Sequence, residues 1–298
     1  MHVSETVLIS GASGLIGRNL SNFLKEKGYH VIQLVRNKSA NNGYTQWTYH
    51  ETAQYTLPVD HIIHLAGASI GEGRWTSKRK KELRDSRIET AKFLFEKFAG
   101  HGLKTFITAS GVAWYGTAAN DKVFREDDAA GQDFLARLTV EWEHAAQVFS
   151  TKNVRVAAVR TGVVLAPRAE VLKKMLTPFK WNFGAVLGRG TQFFPWIHID
   201  DLCNMYWTLL EKKSLSGSFN AVAPQFITNA QLTKDMAVVL KKKIWLPAVP
   251  AWLLKLILGE MSALVLSGNK ISSDKIQETG FVFKYADFRE ALRTCVDE

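Results

Sequence analysis

Three glycines, Gly11, Gly14 and Gly17, stand three apart directly after the apolar run Thr6-Val7-Leu8-Ile9-Ser10. Small residues at this spacing let backbone N–H groups close on an anion. One serves the tight turn, one lets the chain approach a pyrophosphate, and one lets a helix pack closely against a strand. The helix expected to begin near Gly14 adds free N–H groups and the positive end of its dipole. The spacing is GxxGxxG rather than the commoner GxGxxG, and a glycine turn without a ligand is the competing reading. The surroundings favour a ligand: Asn19, Leu20, Phe23 and Leu24 recur at helical spacing, Gly28 stops the helix, and Val31-Ile32-Gln33-Leu34-Val35 resumes as a strand. Leu15 and Ile16, which open that helix, join the glycines as candidate dinucleotide-binding residues.

Dinucleotide sites that take NAD place an Asp or Glu at the end of the second strand, where it accepts hydrogen bonds from the adenine ribose. Here that strand ends Val35-Arg36-Asn37-Lys38, and no acid occurs between Gly28 and His50. A guanidinium at this point can bind a 2′-phosphate through several charge-assisted hydrogen bonds. Val35 and Arg36 therefore join the candidate set, and NADP(H) is favoured over NAD(H). A solvated strand-end residue is the alternative for Arg36, and Lys38 reads as simply exposed. Other chemistries find less support. His61 and His64 bracket a strand without a third ligand at metal spacing, and no GxSxG or Cys/His arrangement points to a hydrolase. Cys203 and Cys295 are far apart, which suggests reduced packing thiols in a cytosolic protein rather than a disulfide or a zinc site.

Strands must alternate with helices to position such a site. After the first βαβ unit and a polar stretch from Asn37 to Thr56, His61 to Leu65 reads as a third strand ending in Ala66-Gly67. A helix over about Thr76 to Phe98 follows, then the strand Thr105 to Ala109, a loop to Gly131, a helix over Asp133 to Phe149, and the strand Val154 to Arg160. This order predicts an α/β, Rossmann-like, doubly wound parallel sheet over residues 1–165, with ligands at the strands' carboxyl ends. Beyond Leu165 the regularity fades. Residues 166–298 read as a smaller mixed substrate domain, with 196–212 returning to the nucleotide domain. A helix is expected from Leu202, capped by Asp201.

The length of 298 residues suits one large or two medium domains, and 46% apolar with 22% charged residues is ordinary for a soluble enzyme. A net charge of +10 raises the question of nucleic acid. The basic residues read as scattered, the cluster Arg74 to Arg87 is interleaved with Glu82 and Asp85, and no helix-turn-helix, zinc-finger or RNP pattern accompanies them. No nucleic-acid partner is expected; the charge reads as a solvated helix face that also attracts an anionic cofactor. The first strand starts too early for a secretory leader. Val249 to Gly268 is apolar but contains Lys255, Gly259 and Glu260, so it reads as buried or substrate-covering helices and no membrane partner is expected.

Taken together, several segments resemble the NAD(P)-dependent epimerase/dehydratase group of extended short-chain dehydrogenase/reductases, and more narrowly an atypical branch of uncertain substrate. They are Gly11 to Gly17, His64-Leu65-Ala66-Gly67, Arg74-Trp75-Thr76, Ser86 to Thr90, Trp114-Tyr115-Gly116, Trp142-Glu143, Arg160 to Leu165, Trp196 to Asp201 and Leu258-Gly259-Glu260. The resemblance implies that Leu65, Ala66 and Gly67 line the adenosine side of the cofactor and that Val164 sits near the nicotinamide. Arg87 could neutralise phosphate, and Glu82 could hold a ribose hydroxyl or a basic neighbour; a surface ion pair is the competing reading for each.

Typical members use a Tyr with a Lys four residues later, assisted by a Ser or Thr. None of the seven tyrosines here is followed by Lys at that distance. Aligning Tyr115-Gly116 and Trp142-Glu143 with the family puts Gly111, Leu135 and Thr139 at the three catalytic positions. Candidate substitutes are Tyr115 as acid or base, Ser110 as hydrogen-bond donor and His198 as a group titrating near neutrality. Pocket wall, strand-end cap and domain brace are their structural alternatives. The resemblance implies an NADP(H)-binding oxidoreductase or epimerase acting by hydride transfer on a small polar, sugar-nucleotide-like substrate. A non-catalytic NADP(H) sensor is the alternative. The family often pairs as a homodimer through two helices of the nucleotide domain, a geometry with which the basic helix from Thr76 would have to be compatible.

Overall fold

A computed structural model describes residues 5–38, 43–50, 58–117 and 121–296. In chain order the elements are β1 (Thr6–Ser10), α1 (Leu15–Glu26), β2 (His30–Val35), β3 (Thr45–Thr48), β4 (His61–His64), α2 (Ser77–Phe98), β5 (Thr105–Gly111), β6 (Val123–Phe124), α3 (Phe134–Gln147), β7 (Arg155–Thr161) and β8 (Val163–Leu165). The chain continues through α4 (Glu170–Lys180), β9 (Trp196–His198), α5 (Ile199–Glu211), β10 (Gly217–Ala221), α6 (Asn229–Val239), α7 (Ala251–Leu258), α8 (Ala263–Leu266), β11 (Lys270–Ile271), α9 (Asp274–Gln277) and α10 (Phe288–Val296).

Seven strands form one sheet in the order β10-β7-β5-β4-β1-β2-β3. Every pairing in it is parallel. Alternation along each strand divides the core between two faces. Val7, Ile9, Ile63 and Ile107 point to the side covered by α1 and α5. Leu8, Ile62 and Phe106 point to the side where Leu94 and Phe98 of α2 and Ala146 of α3 pack. The order reverses between β1 and β4, the switch point where a doubly wound sheet opens a crevice at its carboxyl edge.

Two strands of the seven-stranded sheet lie where the sequence pattern did not show them. β3 comes from the polar stretch, part of which lies outside the described residues, and pairs with β2 at the edge. β10, assigned from sequence to the substrate domain, completes the other edge by pairing with β7. The sheet therefore draws a strand from beyond residue 165. Its α1/α5 face shares one core with Leu172 of α4, Met236 of α6 and Phe288 of α10.

Two further expectations need correction. Asp201 does not cap the helix at Leu202. That helix starts at Ile199, and its cap is His198, whose Nδ1 accepts the Asp200 N–H at 3.2 Å. Asp201 is buried, and its carboxylate accepts the N–H groups of Lys284 (2.7 Å) and Tyr285 (3.0 Å). Of the two readings of Val249 to Gly268, buried or substrate-covering helices, the first does not hold for α7, which has no buried residue. Among the described residues, no helix is long and apolar enough to cross a membrane.

Candidate functional site

The turn after β1 explains its glycines sterically. Gly11 has φ +73°, and a Cβ there would lie 2.7 Å from the Leu65 carbonyl carbon and the Ala66 nitrogen. A Cβ on Gly17 would lie 2.5 Å from the Gly11 oxygen. Both contacts are with backbone, which cannot swing away, so the turn, α1 and the chain leaving β4 close only around hydrogen atoms. Gly14 is the N-cap of α1, with no side-chain cap and no acid in the first turn. The first N–H groups of α1 therefore have no acid of their own turn and no capping side chain to answer them. Leu15 and Ile16 are half-buried and packed on the core. Val35 is buried at the end of β2, while Arg36 is exposed just beyond it. The register Ser10 to Leu34 sets Arg36 at the same sheet edge as the glycine turn. Among the described residues no carboxylate pairs with it.

β4 and α2 fix the next part of the site. His64 is fully buried. Its Nε2 lies 3.1 Å from the Arg87 carbonyl and its Nδ1 2.7 Å from Ser10 Oγ. A carbonyl can only accept, so Nε2 carries the proton and Nδ1 accepts the serine hydroxyl. Burial pulls the His64 pKa down to about 4, which keeps the ring neutral. The loop beyond it is pinned to α2, with Ala68 N–H donating to Ser86 Oγ at 2.9 Å and Arg79 Nη2 to the Ser69 carbonyl at 2.6 Å.

Arg87 and Glu82 part ways. Glu82 is half exposed and pairs with Arg79 at 2.8 Å, the surface ion pair that was its alternative. Arg87 is buried at 5% exposure, so a surface ion pair does not describe it. Nη1 donates to the Leu83 carbonyl (2.7 Å), Nη2 to the Ala68 carbonyl (3.0 Å), and the guanidinium lies over the Trp142 ring. Its Nε has no partner. Burial, and secondarily Arg79, lowers its pKa to about 10. A Cβ on Gly67 would come within 2.8 Å of the guanidinium carbon, so Gly67 leaves the space this cation occupies. A buried cation whose contacts are carbonyls and a ring face suits an anion nearby.

The candidate catalytic substitutes turn out to be fastened into the scaffold. Ser110 Oγ donates to Glu143 Oε1 at 2.6 Å. The same carboxylate receives Arg160 through Nε (2.8 Å) and Nη2 (3.0 Å), and Ser218 Oγ at 2.9 Å. Arg160 lies 3.7 Å from the Trp114 ring centroid and donates from Nη1 to Tyr115 Oη at 3.2 Å. Tyr115, 2% exposed, in turn donates to Asn220 Oδ1 at 2.7 Å. Burial raises the Tyr115 pKa to about 12 against the pull of Arg160. Its hydroxyl thus both donates and accepts inside the protein, as the wall position that was its alternative would have it. Ser110 likewise spends its proton on Glu143. His198 is buried between its cap hydrogen bond and Thr294 Oγ1 at 3.2 Å. Burial drives its pKa to about 4, which overturns the expectation that it titrates near neutrality.

The three aligned catalytic positions do converge. A Cβ on Gly111 would lie 3.8 Å from Thr139 Cγ2, and Leu135 is one turn earlier on α3. The Thr139 hydroxyl bonds back to the Ala136 carbonyl at 2.8 Å. No ionisable side chain stands at any of the three positions. Val164 is half-buried on β8, opposite Ile197 of β9.

Residues 7–222 match the NAD dependent epimerase/dehydratase family. The chain belongs to this family. Residues 249–295 match a domain of unknown function, DUF1731. Epimerase family protein YfhF of Bacillus subtilis is 36% identical over 296 residues, covering 96% of each chain. The Arabidopsis thaliana chloroplastic homologue of epimerase family protein SDR39U1 is 34% identical, covering 97% of this chain and 86% of that one. Human SDR39U1, in a crystal structure with NADPH, superimposes with a TM-score of 0.90 at 30% identity over 98% of this chain and 99% of that one. A Thermotoga maritima UDP-glucose 4-epimerase has the same fold, with a TM-score of 0.80 at 18% identity.

Within this epimerase/dehydratase member the Glu143–Arg160 pair, with Ser218 and Asn220, is the largest feature that sequence reading left without a role. Trp142-Glu143 and Arg160 were visible as family segments. Nothing in the spacing shows that α3, β7 and β10 bring them together.

Proposed function

We propose that this chain binds NADP(H) and carries out hydride transfer on a small polar substrate held between the nucleotide-binding part, residues 1–165 with 196–212 and the edge strand β10, and the rest of the C-terminal half. The observation that carries the reading is the glycine turn, where a Cβ at Gly11 or Gly17 would strike backbone so that only glycine lets turn, α1 and β4 close together, beside an α1 N-terminus without acid or side-chain cap. Such a cradle suits a pyrophosphate. Arg36, exposed at the same edge with no acid after β2, supports a 2′-phosphate and hence NADP(H) over NAD(H). The NADPH in the human SDR39U1 structure favours the same choice.

In this reading Gly11, Gly14, Leu15, Ile16 and Gly17 hold the pyrophosphate. Leu65, Ala66 and Gly67 border the adenosine, and Val164 packs near the nicotinamide. Arg87 lends positive charge from behind Gly67, and Glu82 acts only through Arg79. The bound nucleotide supplies or accepts a hydride. Around it, Leu135, Thr139 and Val164 shape the pocket wall and orient the substrate but move no proton. Proton transfer is therefore left to the substrate itself or to solvent. Buried thiols at Cys203 and Cys295 fit a reducing compartment such as the cytosol. A homodimer through α2 and α3 would use the groove lined by Ile88, Phe95, Ala145 and Val148.

Side-by-side titration with NADPH and NADH, read by tryptophan quenching, tests the assignment. A preference for NADPH of about tenfold or more, equivalent to 1.4 kcal/mol, is expected. Binding of neither nucleotide would overturn it. Tight NADPH binding without turnover across carbonyl and sugar-nucleotide substrates would move the reading to a sensor.

A further inference from the structure

Fourteen large hydrophobic side chains stand exposed among the described residues, and ten of them fall in two stretches, 168–189 and 234–264. All three exposed tryptophans are here: Trp181 (72% exposed), Trp245 (65%) and Trp252 (67%). The stretches lie side by side. Trp245 Nε1 donates to the Asn182 carbonyl at 2.8 Å, Val249 N–H to the Val186 carbonyl at 2.8 Å, and Gly188 N–H to the Val249 carbonyl at 2.9 Å. α7 follows directly at Ala251, and Trp252 and Leu256, four apart, share one of its faces. The far end of α7 is held by Arg74 Nη2 on the Ile257 carbonyl at 3.2 Å and by a Lys80–Glu260 ion pair at 2.6 Å. The apolar face is thus carried on anchored structure.

Charge concentrates in the same place. Residues 168–189 and 234–264 contain ten Lys and Arg but only Glu170, Asp235 and the Lys80-paired Glu260, so they hold seven of the chain's ten net positive charges. The basic residues are therefore not scattered as the sequence pattern suggested. Glu170 is paired with Lys174 at 2.6 Å and Asp235 with Arg289 at 2.6 Å, so neither acid neutralises the triplet Lys241-Lys242-Lys243.

From this coincidence of exposed tryptophan, aliphatic side chains and unneutralised lysine, we infer that the face built by the end of α4, the 241–249 connection and α7 docks on an anionic lipid surface. Trp prefers the level of the headgroups, Leu256 and Ile257 suit the acyl boundary, and lysines reach outward along their stems to lipid phosphate. A protein partner fits less well, because the centres of protein interfaces are depleted of lysine. Eight of the ten cations here are lysine. A nucleic acid would leave Leu256 and Ile257 without a use.

Co-sedimentation of the full chain with vesicles tests the inference. One set is phosphatidylcholine alone and the other contains about 30% phosphatidylglycerol, each in low and high salt. We expect at least tenfold stronger partitioning to the anionic vesicles in low salt, with a blue shift of tryptophan emission. Lys241→Gln/Lys242→Gln/Lys243→Gln should weaken it about tenfold, and Trp252→Ser/Leu256→Ser should abolish the blue shift. Because these side chains are at the surface, circular dichroism and Tm should remain those of the parent chain. If the lysine variant destabilises the fold, the salt series on the parent chain decides. Equal binding to both vesicle types, no binding, indifference to salt, or burial of these tryptophans by self-association without lipid would each overturn the inference.

Discussion

The carboxylate of Glu143 on α3 grips the guanidinium of Arg160 on β7 through two hydrogen bonds, 2.8 and 3.0 Å long, with their side chains only 10% and 3% exposed. Ser110, Ser218 and Tyr115 complete this network around the pair. A scaffold of charge and hydroxyls thus joins α3, β5, β7 and β10 beside Gly111.

Removing one member should therefore cost stability. Glu143→Gln leaves a buried, unpaired guanidinium, and a loss of about 3 kcal/mol is expected by urea denaturation. The double variant Glu143→Leu/Arg160→Met should recover part of that loss. If the double variant loses the sum of both single effects, the two side chains do not act as a pair.

Tyr115→Phe should cost about 1 kcal/mol, the ordinary worth of a buried hydrogen bond, and leave NADPH affinity within about twofold. Ser110→Ala should behave alike. In a turnover assay, a hundredfold drop in kcat for Tyr115→Phe at unchanged stability would show that the phenol does take part in the chemistry.

Arg36→Ala should weaken NADPH about tenfold, or 1.4 kcal/mol, and leave NADH nearly unchanged, so that the preference collapses. Gly17→Ala should weaken both nucleotides together, because its methyl group would lie 2.5 Å from the Gly11 oxygen and force the turn open. Parallel titrations of the two variants separate phosphate recognition from construction of the cradle.

Acid should destabilise the fold before most carboxylates protonate. Burial lowers the pKa of His64 and His198 to about 4, below the ordinary histidine value of 6.5. Between those values the unfolded chain binds more protons, so stability rises with pH there. It is fully present above pH 6.5 and falls as pH drops toward 4, by roughly 3 kcal/mol for each histidine. Urea midpoints measured at pH 7, 6 and 5 should decrease in that order. Thr294→Val removes the partner of His198 Nε2 and should lower the midpoint at every pH without removing the slope.

The nucleotide half was legible from local pattern. Short, mostly apolar runs at β1, β2, β4, β5 and β7 mark strands buried on both faces, and Gly11, Gly14 and Gly17 state where backbone must approach backbone or phosphate. Missing acids after β2, and missing Tyr and Lys on α3, were likewise matters of residue identity alone. Edge strands were less visible. β3 has only partly buried side chains and β10 follows an irregular stretch, so neither displays the apolar run of a central strand.

Partners across the fold were left to tertiary structure. Whether Arg87 is a surface cation or a buried one depends on Gly67 and Trp142 closing over it. Whether Tyr115 and Ser110 are reactive or engaged depends on Asn220 and Glu143, which lie 105 and 33 residues away along the chain. His198 has a lowered pKa because the end of β9 is buried against α10, not because of its sequence neighbours. Backbone periodicity is a local property that a sequence carries openly. Desolvation and hydrogen-bond satisfaction depend on which distant side chains share a dry volume, and only the folded chain determines that.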